Sequence, residues 1–225
     1  MRKIIAIIFI FVISVALFFT GCRKNEPSIP CELTPTCTNT PVLTATATNT
    51  PLNNNYVLGS NSTLDGWGCS NNGGNNSLDY GCAGDTTTDI GCCCVFSFDI
   101  TPIPAGIVGL SAVVCMYQST VIGAPYSNLG SLLLEHVVYS DVWQSYGATA
   151  IGGPVTFSTD STTGYKCYDV TAFVNDDIVN ARTYSQYRLR HTAATDSNGY
   201  SDQSIWLTEE TITNDPYLYV IYYYY

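Results

Sequence analysis

The chain has 225 residues and a formal net charge of −10, with ten Cys and 17 Tyr but only eight Lys plus Arg. Nucleic-acid binding depends on neutralising phosphates with basic side chains, so this composition argues against it. A cation such as calcium, or an uncharged polymer, suits the chain better than a polyanion. The many Cys are unusual for a reducing compartment and in an exported protein indicate disulfides or a lipidation site.

Residues 1–21 have the pattern of a signal peptide. Two basic residues, Arg2 and Lys3, precede an apolar run from Ile4 to Phe19. This run is shorter than the roughly 20 residues of a membrane-spanning helix, and it ends at small residues of the kind found at cleavage sites. The chain is therefore predicted to be exported.

The segment Phe19-Thr20-Gly21-Cys22 resembles the lipobox of bacterial lipoproteins, in which cleavage exposes a Cys that carries the lipid. The resemblance implies lipidation at Cys22, which would anchor the chain to a membrane through its acyl chains. Arg23 rather than Asp follows, which by the same resemblance implies an extracytoplasmic place at the outer membrane or cell surface. The alternative is an ordinary secretion signal with a coincidental Cys.

Residues 22–55 are predicted to be a linker without a core. The stretch from 34 to 51 alternates Thr with Pro, Ala and Asn, which is typical of a disordered, extended spacer. The globular domain is then expected over residues 56–225.

Residues 61–91 are polar and rich in Gly and Asn, so they are predicted to form a long loop. Asp65, Asp79 and Asp85 lie in it and are candidate calcium ligands, because calcium prefers oxygen donors. No EF-hand spacing is present. The alternative is that these aspartates are solvated turn residues.

The stretch from 94 to 118 is predicted to form a hairpin-like pair of strands. Residues 94–100 alternate between apolar and small or polar side chains, Pro102 and Pro104 end that strand, and a β-branched run follows over 107–117. Further short strands are predicted over 56–60, 132–138, 151–157, 164–170, 187–191, 204–208 and 217–224, with helical turns over 171–179. Strands of this length and spacing predict an all-β jelly-roll β-sandwich.

Four segments together resemble one family. They are FSFDITPIPAGIVGLSAVVCMY (96–117), LEHVVYSDVW (134–143), YDVTAFV (168–174) and the final YRLRH…SIWLTEE…DPYLYVIYY (187–223). In this order and spacing they resemble the DNRLRE, or disaggregatase-related, domain of secreted bacterial and archaeal proteins. The resemblance implies a jelly roll of the carbohydrate-binding-module type. Residues 61–91 depart from the family pattern.

Trp67 and Trp143 are the candidate ligand-binding aromatics, because an indole ring can stack on the apolar face of a sugar. Trp67 lies in the polar loop and is expected to be exposed. For Trp143 the alternative is a core position at the end of a strand. Trp206, between Ile205 and Leu207, is expected to be packing.

Catalysis is not expected. The chain has two His, His136 and His191, in no zinc-binding spacing, and it has no nucleophile-elbow motif or P-loop. His191 is expected at the surface. The adjacent carboxylates Asp176-Asp177 and Glu209-Glu210 would point to opposite faces of a strand, so neither pair is an acid/base couple.

The cysteines allow two predicted bridges. Lipidation of Cys22 would leave nine of the ten Cys, an odd number, so at least one thiol is expected to be unpaired or bonded to another chain. We expect one bridge between Cys69 and Cys82 across the polar loop. Parity along the two strands favours a second one between Cys93 and Cys115.

Taken together, the sequence predicts a lipid-anchored extracytoplasmic surface protein whose non-catalytic module binds polysaccharide. The expected partners are a glycan and the membrane that holds the lipid, with no nucleic acid and with calcium as the one candidate cofactor. The alternative is a structural or adhesive surface protein that binds protein partners or itself.

Overall fold

The computed structural model describes residues 52–224, apart from 77 and 210–212. The predicted signal peptide, Cys22 and the linker up to residue 51 lie outside the described residues. Among the residues it does describe, no helix is long and apolar enough to cross a membrane.

Twelve β-strands in the described residues form a single curled antiparallel sheet, as expected for an all-β sandwich. The strands are β1 (Leu52–Gly59), β2 (Gly66–Cys69), β3 (Gly74–Asn75), β4 (Tyr80–Asp85), β5 (Gly91–Asp99), β6 (Gly109–Ile122), β7 (Leu132–Val137), β8 (Ala150–Ser158), β9 (Gly164–Asp169), β10 (Tyr184–His191), β11 (Asp202–Leu207) and β12 (Tyr217–Tyr224). Helix α1 (Pro125–Asn128), a 3₁₀ helix (Val142–Gly147) and α2 (Thr171–Val179) lie in the connections.

The strand order is β1-β12-β6-β11-β4-β5-β10-β7-β8, with β9 on β6 and β2 on β5. Alternate side chains of the long strands point inward and meet in one core. The core residues from these strands are Cys94, Phe96 and Phe98 of β5, Ala112, Val114 and Met116 of β6, Tyr187 and Leu189 of β10, Trp206 of β11, and Leu218, Val220 and Tyr222 of β12. The period-two patterns in the sequence identify these inward faces.

Strands β5 and β6 do not form the predicted hairpin. In the part of the chain that the structure describes, β5 pairs with β2, β4 and β10, whereas β6 pairs with β9, β11 and β12. The two strands share one core without sharing hydrogen bonds, so they face each other across the sandwich. Pro102 and Pro104 flank the buried Ile103, and this connection carries the chain from one layer to the other.

Residues 61–91 are not one long loop. They contain β2, β3 and β4, with β2 paired to β5 and β4 paired to β11. Strands of two to six residues that are rich in Gly give almost no periodic signal, which explains why the sequence predicted a loop.

Both predicted bridges are wrong, because Cys69 bonds to Cys92 and Cys115 bonds to Cys167. Each bridge joins residues that lie directly opposite each other on neighbouring antiparallel strands. Cys93 cannot reach Cys115, since β5 and β6 lie in different layers and the two side chains point away from the shared core.

Cys82, Cys93 and Cys94 are buried free thiols. Cys82 packs in the same small cluster as the Cys69–Cys92 bridge. Burial raises the pKa of Cys82 to about 12 and that of Cys93 to about 11, so these side chains are neutral packing residues at physiological pH.

Candidate functional site

A second layer covers the outer face of the sheet where β5, β10 and β7 lie side by side. It consists of the segment 138–148, which includes the 3₁₀ helix. Gln186 of β10 fixes the start of this segment: its amide oxygen accepts from the backbone N–H of Tyr139 at 3.0 Å, and its amide nitrogen donates to the Tyr139 carbonyl at 3.1 Å. The two bonds satisfy a buried backbone unit that pairs with no strand.

Arg188 of β10 fixes the end of the segment. Its Nη1 donates to the carbonyl oxygens of Ser145, Tyr146 and Ala148 at 2.8, 2.7 and 2.9 Å. These carbonyls lie at the C-terminal end of the 3₁₀ helix, where the Ser145 carbonyl also accepts from the Ala148 backbone N–H at 3.2 Å. The Arg188 side chain is buried, so one cation binds three backbone acceptors away from water.

Glu135 of β7 lies directly opposite Arg188 and balances its charge. Its Oε2 accepts from Nε of Arg188 at 2.7 Å, and its Oε1 accepts from Nη2 of Arg190 at 2.6 Å. Burial acts to raise the pKa of Glu135, but the hydrogen bonds from Arg190 and Arg188 outweigh it and lower that pKa below its usual value. The carboxylate is therefore charged under the supported segment.

The 3₁₀ helix packs closely on β2 because β2 carries glycine at the contact. A Cβ atom on Gly68 would lie 2.5 Å from the carbonyl oxygen of Val142 and 2.6 Å from Oγ of Ser145. Gly74 does the same for Trp143, whose Cδ1 would lie 3.2 Å from an added Cβ. The short strands β2 and β3 thus form the surface on which the 3₁₀ helix and Trp143 pack.

Between the segment 138–148 and the turn after β2 lies a pocket with a volume of about 590 Å³. Its lining combines aromatic rings with uncharged amide and hydroxyl groups. The lining residues are Cys69, Ser70, Asn72, Val138, Tyr139, Ser140, Trp143, Gln144, Tyr146, Gly147 and Ala148. The volume is typical of small-molecule sites, and the mixture of apolar surface with a few polar groups is typical of them too.

The structure separates the two tryptophans that the sequence singled out. Trp143 is 39% exposed and lines the pocket, so the alternative core position is wrong. Trp67 is not the exposed aromatic that was expected. It is half-buried against the Cys69–Cys92 cluster, and its Nε1 is buried without a hydrogen-bond partner. Trp206 is fully buried, as expected.

The three predicted calcium ligands do not come together among the described residues. Asp65 is buried and accepts from Ser60 Oγ at 2.7 Å, whereas Asp79 is exposed. Asp85 instead lies with Asp89 and Asp196, whose carboxylate oxygens are within 4.8 Å of one another.

The group of Asp85, Asp89 and Asp196 ties two loops together through backbone N–H donors. Asp85 accepts from Asp202 N at 3.0 Å, and Asp89 accepts from Gly199 N at 3.1 Å. Carboxylate oxygens are the donors that calcium prefers, so this group is the part of the described chain best suited by chemistry to a cation. Its hydrogen bonds also give it a structural role without one.

His136 belongs to a buried polar network with Asp177 and Arg182. His136 Nε2 lies 2.8 and 3.0 Å from the two carboxylate oxygens of Asp177, and Arg182 donates to the same Asp177 at 2.9 Å. His136 and Asp177 are enclosed, with the Phe173 ring stacked on the imidazole at 5.0 Å. This network fastens α2 to β7.

His191 is buried rather than at the surface as predicted. Its Nδ1 lies 2.9 Å from the Gly130 carbonyl oxygen and its Nε2 lies 3.2 Å from Ser204 Oγ. Burial lowers the pKa of His191, so the ring is neutral near pH 7. Neither histidine therefore faces the pocket.

Sequence reasoning missed the residues that support and line the pocket wall. Gln186, Arg188 and Arg190 alternate along β10 with core residues, and this row of long polar side chains in a strand was the available signal. A polar row of that kind on a strand that is otherwise buried indicates a face covered by further chain. The contributions of Tyr139, Tyr146 and Gln144 depend on the path of the covering segment and give no comparable signal.

The comparisons with known proteins add no relative to this picture. No protein-family model matches the chain, and the search of curated proteins found no match either. The resemblance to the DNRLRE domain therefore stays a prediction.

Proposed function

We propose that this protein is an extracytoplasmic, lipid-anchored binding protein whose β-sandwich takes up polysaccharide in the pocket of segment 138–148, without catalysing a reaction. The observation that carries the proposal is the Trp143 ring, 39% exposed in a pocket whose other walls are amide, hydroxyl and aromatic groups. Aromatic surface can stack on the apolar face of a pyranose. Side-chain amides and hydroxyls both donate and accept, as sugar hydroxyls require.

The rigidity of the pocket supports binding further. Segment 138–148 is held by Gln186 and Arg188, and the wall opposite is held by the Cys69–Cys92 bridge. A site ordered before the ligand arrives avoids the entropic cost of ordering loops on binding. This matters for sugars, because each hydroxyl contact exchanges one hydrogen bond to water for another and contributes little net free energy.

The proposal is tested by screening the full chain on a glycan array and measuring affinity by calorimetry. Trp143→Ala should weaken binding by at least about tenfold, since burying a large apolar side chain contributes about 1.5–3 kcal/mol. Tyr200→Ala is the matched control, because Tyr200 is 75% exposed on a different loop. A chain that binds no glycan, or that binds equally well without Trp143, would refute the proposal.

The anchor is tested separately, because Cys22 lies outside the described residues. Cells expressing the chain are fed a labelled fatty acid, and the label should appear on the wild-type protein and not on Cys22→Ala. The variant should also move from the membrane fraction to the soluble fraction. Equal labelling of both proteins would contradict lipidation at this residue.

A second candidate, adhesion through protein contacts, is favoured by the outer face of β12, β6 and β9. Tyr165 is 42% exposed there and packs edge-to-face on Tyr117 at 5.2 Å and on Tyr217 at 5.5 Å. Tyrosine-rich surfaces are common in protein interfaces. Sedimentation velocity over a concentration series tests it. Self-association that Tyr165→Ser abolishes supports adhesion, and a monomer at every concentration without a captured partner argues against it.

A further inference from the structure

We infer that the pocket of segment 138–148 selects uncharged glycans and rejects glycans that carry carboxylate or sulfate groups. This inference rests on the proposed function, since it names the ligand class of the same pocket. It follows from the absence of charged side chains in the pocket lining and from the pairing of the nearby cations with carboxylates.

The pocket lining supplies no charged side chain. Its polar side chains are the amides of Asn72 and Gln144 and the hydroxyls of Ser70 and Ser140, because the Tyr139 hydroxyl donates to the Leu64 carbonyl. Proteins recognise carboxylates and sulfates with Arg or Lys, which provide charge-assisted hydrogen bonds. Neutral amides and hydroxyls match the hydroxyl groups of a neutral sugar instead.

The cation nearest to the lining is Arg188, and its donors are already committed. Nη1 serves the carbonyls of Ser145, Tyr146 and Ala148, while Nε and Nη2 contact Oε2 of Glu135 at 2.7 and 2.6 Å. The side chain is 6% exposed. It cannot turn toward a ligand without releasing the segment that forms the pocket wall.

The other cations of the described residues are paired with carboxylates, and none of them lines the pocket. Each contacts at least one carboxylate within salt-bridge distance, and the pairs are Lys166 with Asp160, Arg182 with Asp176 and Asp177, and Arg190 with Glu135. Asp141, whose carboxylate accepts from the backbone N–H of Trp143 at 3.0 Å, adds negative charge beside Trp143. The formal net charge of the whole chain is −10, so the protein as a whole repels an anionic polymer.

An anionic sugar entering the pocket would lose water from its charged group and find no cation in return. Burying a charge without a partner is unfavourable, whereas a neutral sugar exchanges its hydrogen bonds nearly evenly. We therefore expect at least about tenfold weaker binding of a glycan that differs from a neutral one only by its carboxylates.

The test uses matched oligosaccharides on the full-length protein in detergent. Hexasaccharides of glucose, galactose and mannose are compared by calorimetry with hexasaccharides of the corresponding uronic acids in the same linkage. A neutral member should bind at least about tenfold more tightly than its uronic counterpart, with an affinity that changes little between 50 and 500 mM salt. Gln144→Arg should raise the affinity for the uronic member by at least about tenfold, because it places a free cation in the lining.

The outcomes separate this inference from the proposed function. If uronic hexasaccharides bind more tightly than neutral ones and Trp143→Ala abolishes that binding, the pocket is a glycan site and the inference is overturned. If no hexasaccharide of either kind binds, the proposed function fails together with the inference.

Discussion

Nη1 of Arg188 lies 2.8 Å from the carbonyl oxygen of Ser145. This contact joins a strand of the sheet to a 3₁₀ helix that lies 43 residues earlier in the chain. Through this contact the integrity of the pocket depends on the interior of the sheet. A substitution in the sheet beneath segment 138–148 should therefore change the shape of the pocket.

Arg188→Met should lower the free energy of unfolding by about 3–5 kcal/mol, because it leaves buried carbonyls and part of Glu135 without a donor. Urea unfolding measures the loss. Arg190→Met is the matched control: Arg190 is 37% exposed and donates to the same Glu135, so about 1 kcal/mol is expected. Equal losses in the two variants would contradict a special role for Arg188 in supporting the segment.

Gly68→Ala should destabilise the protein by about 1–3 kcal/mol, because the new methyl group would push the 3₁₀ helix away from β2. Trp143 fluorescence should shift at the same time, since the ring sits on the neighbouring Gly74. Gly59→Ala provides the comparison, since no atom lies within 4 Å of its added Cβ. Thermal unfolding of both variants measures the two stability losses. An unfolding temperature of Gly68→Ala equal to that of wild type would contradict the close packing of the 3₁₀ helix on β2.

The Glu135 carboxylate should contribute stability that disappears in acid. Its pKa is lower in the folded protein than its ordinary value of 4.5, so the contribution is complete above that value and is lost as the pH falls through the folded pKa. Glu135→Gln should be less stable than wild type at pH 7 and should lose less further stability between pH 5 and pH 3. Urea midpoints at these pH values measure the difference. Parallel curves for the two proteins would exclude Glu135 as a contributor.

The three buried thiols should resist alkylation in the native protein. Cys82, Cys93 and Cys94 are enclosed, and burial raises their pKa values, so reactive thiolate is scarce. Iodoacetamide should label them only in urea, and mapping of unreduced peptides should recover Cys69–Cys92 and Cys115–Cys167. A Cys69–Cys82 peptide would contradict the register of β2 against β5.

The long strands could be predicted from the sequence because their alternation is a local property. The inward row of Phe96 and Phe98 and the capping of the strand by Pro102 both follow from neighbouring residues. The pairing of strands depends on residues far apart in the chain. The sequence therefore predicts a hairpin of β5 and β6, whereas the two strands lie in opposite layers.

The candidate site shows the same division. Trp143 could be singled out by residue type, but its exposure depends on Gly74 beneath it and Arg188 behind it. The correct partner of Cys69 depends on a four-residue strand whose glycines carry no pattern. The chemical type of the candidate residues could therefore be predicted from the sequence. The strand register that decides their exposure and their partners could not.

The pairing of β1 with β12 sets Leu52 directly opposite Tyr224 in an antiparallel ladder. Two such neighbouring strand ends lie close enough to be bridged by a tight turn. The first and last strands of the described domain are therefore neighbours in the sheet. A circularly permuted form of the described domain that links Tyr224 to Leu52 and opens in the exposed turn between β8 and β9 would keep every strand neighbour that the pocket depends on.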